Sequence, residues 1–249
     1  MQRTRQRAGD LWRNSQGIMG SIGSNLQEVK RRIAVACDGA ARPANSVTLL
    51  AVSKTFGADA VRHALAAGQH AFGENYVQEA LAKMGELAAL RPQLQWHLIG
   101  ALQSNKTRVV AEAFDWVHTV DRLKIAQRLA EQRPAGLPPL MVCLQVNVSG
   151  EASKSGVLPA ELPALAHAVA ALAPGRLQLR GLMSIPEPAT DLEGQRRPHR
   201  VLRGLFDSLR GAGLALDTLS MGMSADLEAA VAEGATLVRV GSAIFGTRG

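Results

Sequence analysis

One alternation, repeated down the whole chain, limits the fold more than any other feature. Short apolar runs of strand length each give way to a longer stretch with helical spacing. The strand-length runs fall near 47–54, 70–75, 95–100, 116–120, 140–148, 177–185, 217–221 and 237–244. Helical patterns fall near 58–67, 76–90, 104–113, 121–132, 159–172, 197–211 and 225–233. A further helix precedes the first strand, where Ile22, Leu26, Val29, Ile33 and Cys37 recur every three or four residues. Turn residues punctuate the series at Ala67-Gly68, Pro134 to Pro139, Pro174-Gly175, Gly211 with Gly213, and Gly234. This is the rhythm of an α/β chain, a (β/α)8 TIM barrel with an extra N-terminal helix, with an open doubly wound sheet as the structural alternative.

The chain of 249 residues suits one such barrel, and 47% hydrophobic residues supply its core. The organisation expected is a single domain over 19–249 preceded by a disordered basic extension, 1–18, which holds Arg3, Arg5, Arg7 and Arg13 against Asp10. Met19, where the helical pattern begins, is a candidate start of translation. The stretch Glu187 to Pro198 reads as a strand-to-helix loop. Aromatic residues at 4% argue against a stacking platform for single-stranded nucleic acid. Cys37 and Cys143 lie far apart in apolar surroundings without metal-ligand spacing, and they read as reduced core thiols. No apolar run reaches membrane-spanning length, and the arginine-bearing N-terminus lacks the apolar core of a signal sequence, so a cytoplasmic protein is expected.

Two segments concentrate the chemistry. The run Val47 to Thr55 (VTLLAVSKT) ends a buried-type strand on Lys54, at the carboxyl end where α/β folds gather ligands. An amine part-buried beside Val52 and Phe56 is a nucleophile suited to an aldehyde; the plainer reading is a solvated lysine closing a strand. The run Thr236 to Gly246 (TLVRVGSAIFG) puts Arg239 and Gly241 on one face and follows them with Ser242, so backbone N–H groups and a hydroxyl meet at a strand exit, as a phosphate requires. Its spacing also resembles a P-loop, but Thr247-Arg248 follows in place of Lys-Ser/Thr, and that reading fails. Upstream, Ser220-Met-Gly-Met-Ser224 leads into a helix expected near Ala225, with Ser224 as its cap.

Asn75, at the exit of the second strand, is a candidate donor to a phenolate oxygen or else a turn residue. His97 stands on the third strand as a candidate for the barrel mouth or else a hydrogen-bonded core residue. Ser184 closes the sixth strand, and Ser153 and Lys154 lie in a polar loop after the fifth.

Taken together, LLAVSKT, FGENYVQE, WHLIGALQSNK, VNVSGEASKSGV, GLMSIP, LSMGMSADLEAAV and VRVGSAIFG resemble the pyridoxal phosphate homeostasis protein family, in order from about Ile22 to Gly246. The resemblance implies a fold type III barrel like the catalytic-lysine domain of alanine racemase, holding pyridoxal 5'-phosphate (PLP). It also implies that Lys54 is the Schiff-base lysine, Arg239 the arginine facing the pyridine nitrogen, and Ser224, Gly241 and Ser242 the phosphate-binding positions, with Asn75 and His97 lining the cofactor. The function implied is intracellular PLP homeostasis, holding, buffering or delivering the cofactor without substrate turnover, as a monomer. Partners would be PLP and PLP-dependent apo-enzymes, with neither nucleic acid nor membrane. The competing reading is an amino-acid racemase. That reaction needs an acid–base group on the opposite face, and the chain has one tyrosine, Tyr76, and no second domain. A nucleic-acid-binding role through the basic extension has no recognisable module behind it.

Overall fold

The computed structural model describes residues 2–149, 155–172 and 174–246, with side chains from Ser21 onward. Ser153 and Lys154, and the side chains of the extension 1–18, therefore lie outside the described residues. Eight parallel strands close into one barrel in chain order. They are β1 (Thr48–Val52), β2 (Ala71–Glu74), β3 (Gln95–Leu98), β4 (Trp116–Val120), β5 (Leu140–Gln145), β6 (Leu177–Met183), β7 (Thr218–Ser220) and β8 (Leu237–Val240). Closure is made by β1 against β8, with Leu50 opposite Arg239 and Ala51 opposite Val240. The open sheet is thereby excluded.

The strands of this closed wall are buried on both faces. Every residue of β2, β4 and β8 is buried, so neither face can be left to water. One set of side chains points outward to the helices α2 (Ala58–Ala66), α3 (Val77–Glu86), α4 (Thr107–Ala113), α5 (Leu123–Gln132), α6 (Leu162–Ala170), α7 (Leu192–Gly211) and α8 (Leu227–Ala232). The other set fills the barrel. On one side Leu50, Val52, Ala71, Ile99 and Leu237 form an apolar cluster, and on the other Trp116, Cys143 and Met183 do. Between these clusters the interior is polar, with His97, His118, Ser220 and Arg239 all buried.

Helix α1 (Gln2–Gly39) carries the extra stripe. Ile22, Leu26, Val29, Ile33 and Cys37 are each at most 4% exposed, and burial of each large aliphatic side chain stabilises by about 1.5–3 kcal/mol. Polar ties fix α1 across the end of the barrel wall. Asn25 donates to the Ile244 carbonyl at 2.9 Å, and Arg32 pairs with Glu228 and donates to the Ser224 carbonyl. Arg42, just beyond the helix, donates to the carbonyls of Val231 and Ala235.

Three expectations change. The strand read to 244 stops at Val240, and Ser242–Phe245 forms a short helix, α9. Its apolar residues resemble strand, but Ile244 is drawn under α1, and the N–H groups of Ile244 and Phe245 turn back to the Gly241 carbonyl. The supposed loop up to Pro198 is helical from Leu192, because Asp191 caps α7 through the Gly194 N–H at 2.8 Å and the helix carries Pro198 within it. Finally, α8 starts at Leu227 with Asp226, not Ser224, at its head.

Candidate functional site

A cavity of about 580 Å³ opens at the carboxyl ends of the strands. Strand alternation explains its lining. Along β1 the inward positions are Leu50, Val52 and Lys54; along β2 they are Ala71, Gly73 and Asn75; along β3 they are Gln95, His97 and Ile99. The last inward residue of each series reaches the cavity, as do Arg239 and Gly241 from β8. Met223, Ser224 and Ala225 enter from the loop after β7, Ser242 from α9, and Ile185 from the exit of β6. The structure thus brings together Lys54, Asn75, Ser224, Arg239, Gly241 and Ser242 from four separate strand exits.

His97 is not brought there. It stands one inward position below Ile99, 1% exposed, its ring stacked on Trp116 with centroids 5.3 Å apart and planes 9° apart. Its Nδ1 lies 2.9 Å from His118 Nε2. Of the two readings of His97, barrel mouth or hydrogen-bonded core residue, the structure shows the second: His97 shares a face with Ile99 but stands in the layer beneath it, outside the cavity lining. Burial lowers the His97 imidazole to about 3. Burial also takes His118 well below the ordinary histidine value, with the nearby His97 and Arg239 adding to the effect.

Lys54 is presented by its neighbours. The carbonyl of Ser53 accepts from the buried Lys83 ammonium at 2.8 Å, and the N–H of Thr55 donates to Glu79 at 2.5 Å. Lys83 also binds Glu74 at 2.6 Å, and the Ser53 hydroxyl donates to the same Glu74 oxygen at 2.6 Å. Burial pushes the Glu74 carboxyl up, against the pull of Lys83 and Ser53. Thr55 is held at φ +67°, a left-handed conformation costing a residue with a side chain on the order of 1–2 kcal/mol. The ammonium of Lys54 makes no hydrogen bond or ion pair among the described residues.

Arg239 forms the cavity wall opposite this loop. Both terminal nitrogens are committed to β7 and β6, through the Ser220 carbonyl at 2.6 Å and the Ser184 carbonyl at 2.8 Å. Burial lowers its guanidinium to about 10, so it keeps its charge at neutral pH. The loop after β7 is shaped by Gly222, at φ +92°, where a Cβ would stand 2.5 Å from that of Ala230. Asp226 then accepts the Met223 N–H at 2.6 Å and pairs with His199 at 2.9 Å. The N–H groups of Ser224, Ala225 and Ser242 find no acceptor among the described residues, and all three residues line the cavity, so two loops bring three uncommitted backbone donors to its wall. The loops after β1 and β8 are joined by Phe56 on Phe245, ring centroids 5.1 Å apart.

Asn75 reaches the cavity because Gly100 lacks a side chain: a Cβ there would stand 2.1 Å from the Asn75 carbonyl oxygen. Its side-chain Oδ1 is buried without a partner. Ser184 is fully buried and its hydroxyl is also unpartnered, but it lies outside the lining. Sequence reasoning missed Ile99, Ile185 and the Lys83–Glu74–Glu79 cluster. A lysine four residues after a glutamate on a helix was a visible signal, yet nothing in the pattern said that it turned inward. A groove of about 860 Å³ at the opposite barrel end has its arginines committed, Arg91 to Asp115, Arg180 to Asp217 and Arg133 to backbone carbonyls.

Comparison with known proteins bears on the same cavity. The profile of the alanine racemase N-terminal domain matches residues 24–249. A protein of Pseudomonas aeruginosa named pyridoxal phosphate homeostasis protein is 61% identical, over 92% of this chain and 97% of its own. One of the same name from Escherichia coli K12 is 52% identical, over 92% and 98%. The solved structure of PipY from Synechococcus elongatus, with PLP bound, is 40% identical with a TM-score of 0.78, covering 90% of this chain and all of that one.

Proposed function

Because the chain belongs to the pyridoxal phosphate homeostasis protein family, on the barrel of the alanine racemase N-terminal domain, we propose that its cavity holds PLP and that the protein stores, buffers or delivers this cofactor without turning over a substrate. The observation that carries the reading is one cavity lined at once by the unpaired amine of Lys54, the charged wall of Arg239 and the free N–H groups of Ser224, Ala225 and Ser242. The residues fit the group. Phosphate needs converging donors, and the loops after β7 and β8 supply them. A phenolic oxygen needs a polar neighbour, and Asn75 lines the cavity with a side-chain amide whose N–H groups can donate to it.

When bound, PLP supplies an aldehyde that an amine can take up and release again. Lys54 provides that amine, held at the strand exit by the Ser53 and Thr55 contacts. Ser224, Gly241 and Ser242 grip the phosphate. Arg239, fixed by two backbone carbonyls, keeps a positive charge at the wall and so opposes protonation of a ring nitrogen set against it. A ring left unprotonated is a weak electron sink, which disfavours turnover of amino acids.

Lys54 and Arg239 are the two titratable side chains among the described residues lining the cavity. Tyr76, the lone tyrosine, is 57% exposed and outside the lining, so among the described residues no second acid–base group faces Lys54 across the site. This supports a carrier over a racemase. The same reading includes a cytoplasmic monomer that passes PLP to apo-enzymes. Both cysteines are buried and unpaired, as in a reducing compartment, and no described helix is long and apolar enough to cross a membrane.

The test is borohydride reduction of the PLP-loaded protein followed by peptide mapping. The adduct is expected on Lys54, and Lys54→Ala should lose it while keeping weaker, reversible uptake through the phosphate contacts. An adduct on another lysine would overturn the assignment. Lys54-dependent turnover of amino acids would replace the carrier with an enzyme.

A further inference from the structure

A line of hydrogen bonds leaves the back of the cavity and crosses the barrel interior. Arg239 Nη1 lies 2.9 Å from the Ser220 hydroxyl. Ser220 Oγ lies 2.8 Å from His118 Nδ1, His118 Nε2 lies 2.9 Å from His97 Nδ1, and His97 Nε2 lies 3.0 Å from Gln95 Oε1. Ser220 and His118 are fully buried, while Gln95 is exposed at the far end of the barrel. The series uses one or two inward positions from each of β8, β7, β4 and β3.

Its direction follows from its two ends. At one, a guanidinium only donates, so the Ser220 oxygen accepts from Arg239 and its hydrogen is available to His118 Nδ1. At the other, Gln95 Oε1 only accepts, so His97 Nε2 carries a hydrogen. His118 therefore carries its hydrogen on Nε2 and donates to His97 Nδ1. His97 in turn carries its hydrogen on Nε2, aimed at the carbonyl oxygen of Gln95. Running the chain the other way would set the bare His97 Nε2 against Gln95 Oε1, acceptor against acceptor, and would leave the Ser220 hydrogen without a place in the chain.

The surroundings favour the uncharged state. The positive charges facing the pair are Arg239 from β8 and Arg180 from β6, the latter set over Trp116 and paired with Asp217. Cys143 from β5 is a buried thiol that burial raises to about 12, and it packs with Met183 and Trp116. No carboxylate among the described residues bonds either imidazole.

We propose that Ser220, His118, His97 and Gln95 are positioning residues for Arg239, a one-way hydrogen-bond chain that locks the guanidinium into the cavity wall and both imidazoles into their uncharged Nε2–H tautomers. With the Ser220 hydrogen committed to His118, the end of the chain that reaches the cavity presents Arg239 and no other proton donor. Whatever ring nitrogen meets that wall is then faced by a fixed charge of high pKa and not by a proton shuttle. The last step rests on the PLP reading of the cavity, whereas the tautomers do not.

Two measurements separate them. In the 15N-labelled full chain, ring correlation spectra should give two histidines with hydrogen on Nε2 and bare Nδ1, unchanged between about pH 5 and pH 8, and lost one at a time in His97→Gln and His118→Gln. An Nδ1–H or doubly protonated signal from either ring in that window overturns the chain. In PLP-loaded protein, Ser220→Ala should speed cofactor loss by roughly tenfold and alter the pH dependence of the cofactor absorbance, while Ser220→Thr, which keeps the hydroxyl, restores both. An unaltered pH profile in folded Ser220→Ala overturns the positioning role. If the unaltered chain takes up no PLP, the reading of the cavity fails, and the ring spectra still decide the chain.

Discussion

Lys54 owes its place to residues that never touch the cavity. Lys83 holds the peptide before it and Glu79 the peptide after it; Lys83 forms a buried pair with Glu74, and the partly exposed Glu79 stands beside it. Removing one partner of a buried pair strands the other, at a cost of about 3–5 kcal/mol. Lys83→Met should therefore destabilise the fold by that amount in urea unfolding, and should slow borohydride-trapped uptake of PLP at Lys54. Adding Glu74→Leu removes the stranded carboxylate and should recover most of the stability, but not the uptake rate, because Ser53 still lacks its tether. Recovery of both in the double variant would make the cluster a matter of stability alone. At this scale the strand-end lysine was legible in the sequence, since residue type and alternation are local. Its clamp was not, because Glu74 and Lys83 meet only when β2 and α3 have packed.

The elements around the phosphate end depend on Asp226. It heads α8, takes the Met223 N–H and binds His199 of α7, so one carboxylate joins two helices to the loop after β7. Burial would raise it, but His199, the Met223 N–H and the Arg239 charge hold it below the usual carboxylate value. A carboxyl lowered on folding adds stability above its ordinary value of about 3.9, and that contribution is lost as the pH falls through the lowered value. Asp226→Asn should cost about 1 kcal/mol at pH 7 and remove part of the loss of stability seen on acidification below about pH 4. The check is chemical unfolding of both proteins at neutral and acid pH. An equal gap at both would show that the charge of Asp226 plays no part. Sequence reading gave the cap to Ser224 because serine before an apolar helix is a common cap. Here the chain needs two further residues to complete the turn through Gly222, and Asp226 arrives at the helix head instead.

Across the molecule, α1 closes the wall beside β1 and β8 and steadies both cavity loops through Asn25 and Arg32. Its described packing begins at Ile22, and the sequence of 1–18 lacks the apolar periodicity of that stripe. Deleting 1–18 should leave the melting temperature and PLP content nearly unaltered, whereas Leu26→Ala should cost about 2–5 kcal/mol. A large loss on deletion, read by thermal melting and cofactor absorbance, would assign the extension a packing role. The order of strands and helices and the strand-end positions of Lys54, Asn75, Arg239, Gly241 and Ser242 are legible in periodicity, because each is a matter of which way successive side chains point. Closure of the barrel is decided only where β1 meets β8. Depth and partnership are not legible there either. His97 and Ile99 share a face, and only the tilt of closed strands decides that one reaches the mouth while the other joins His118 beneath it. Likewise Ser220, His118 and Arg239 stand on strands scattered over 122 residues, and their hydrogen-bond order exists only once the barrel has closed around them.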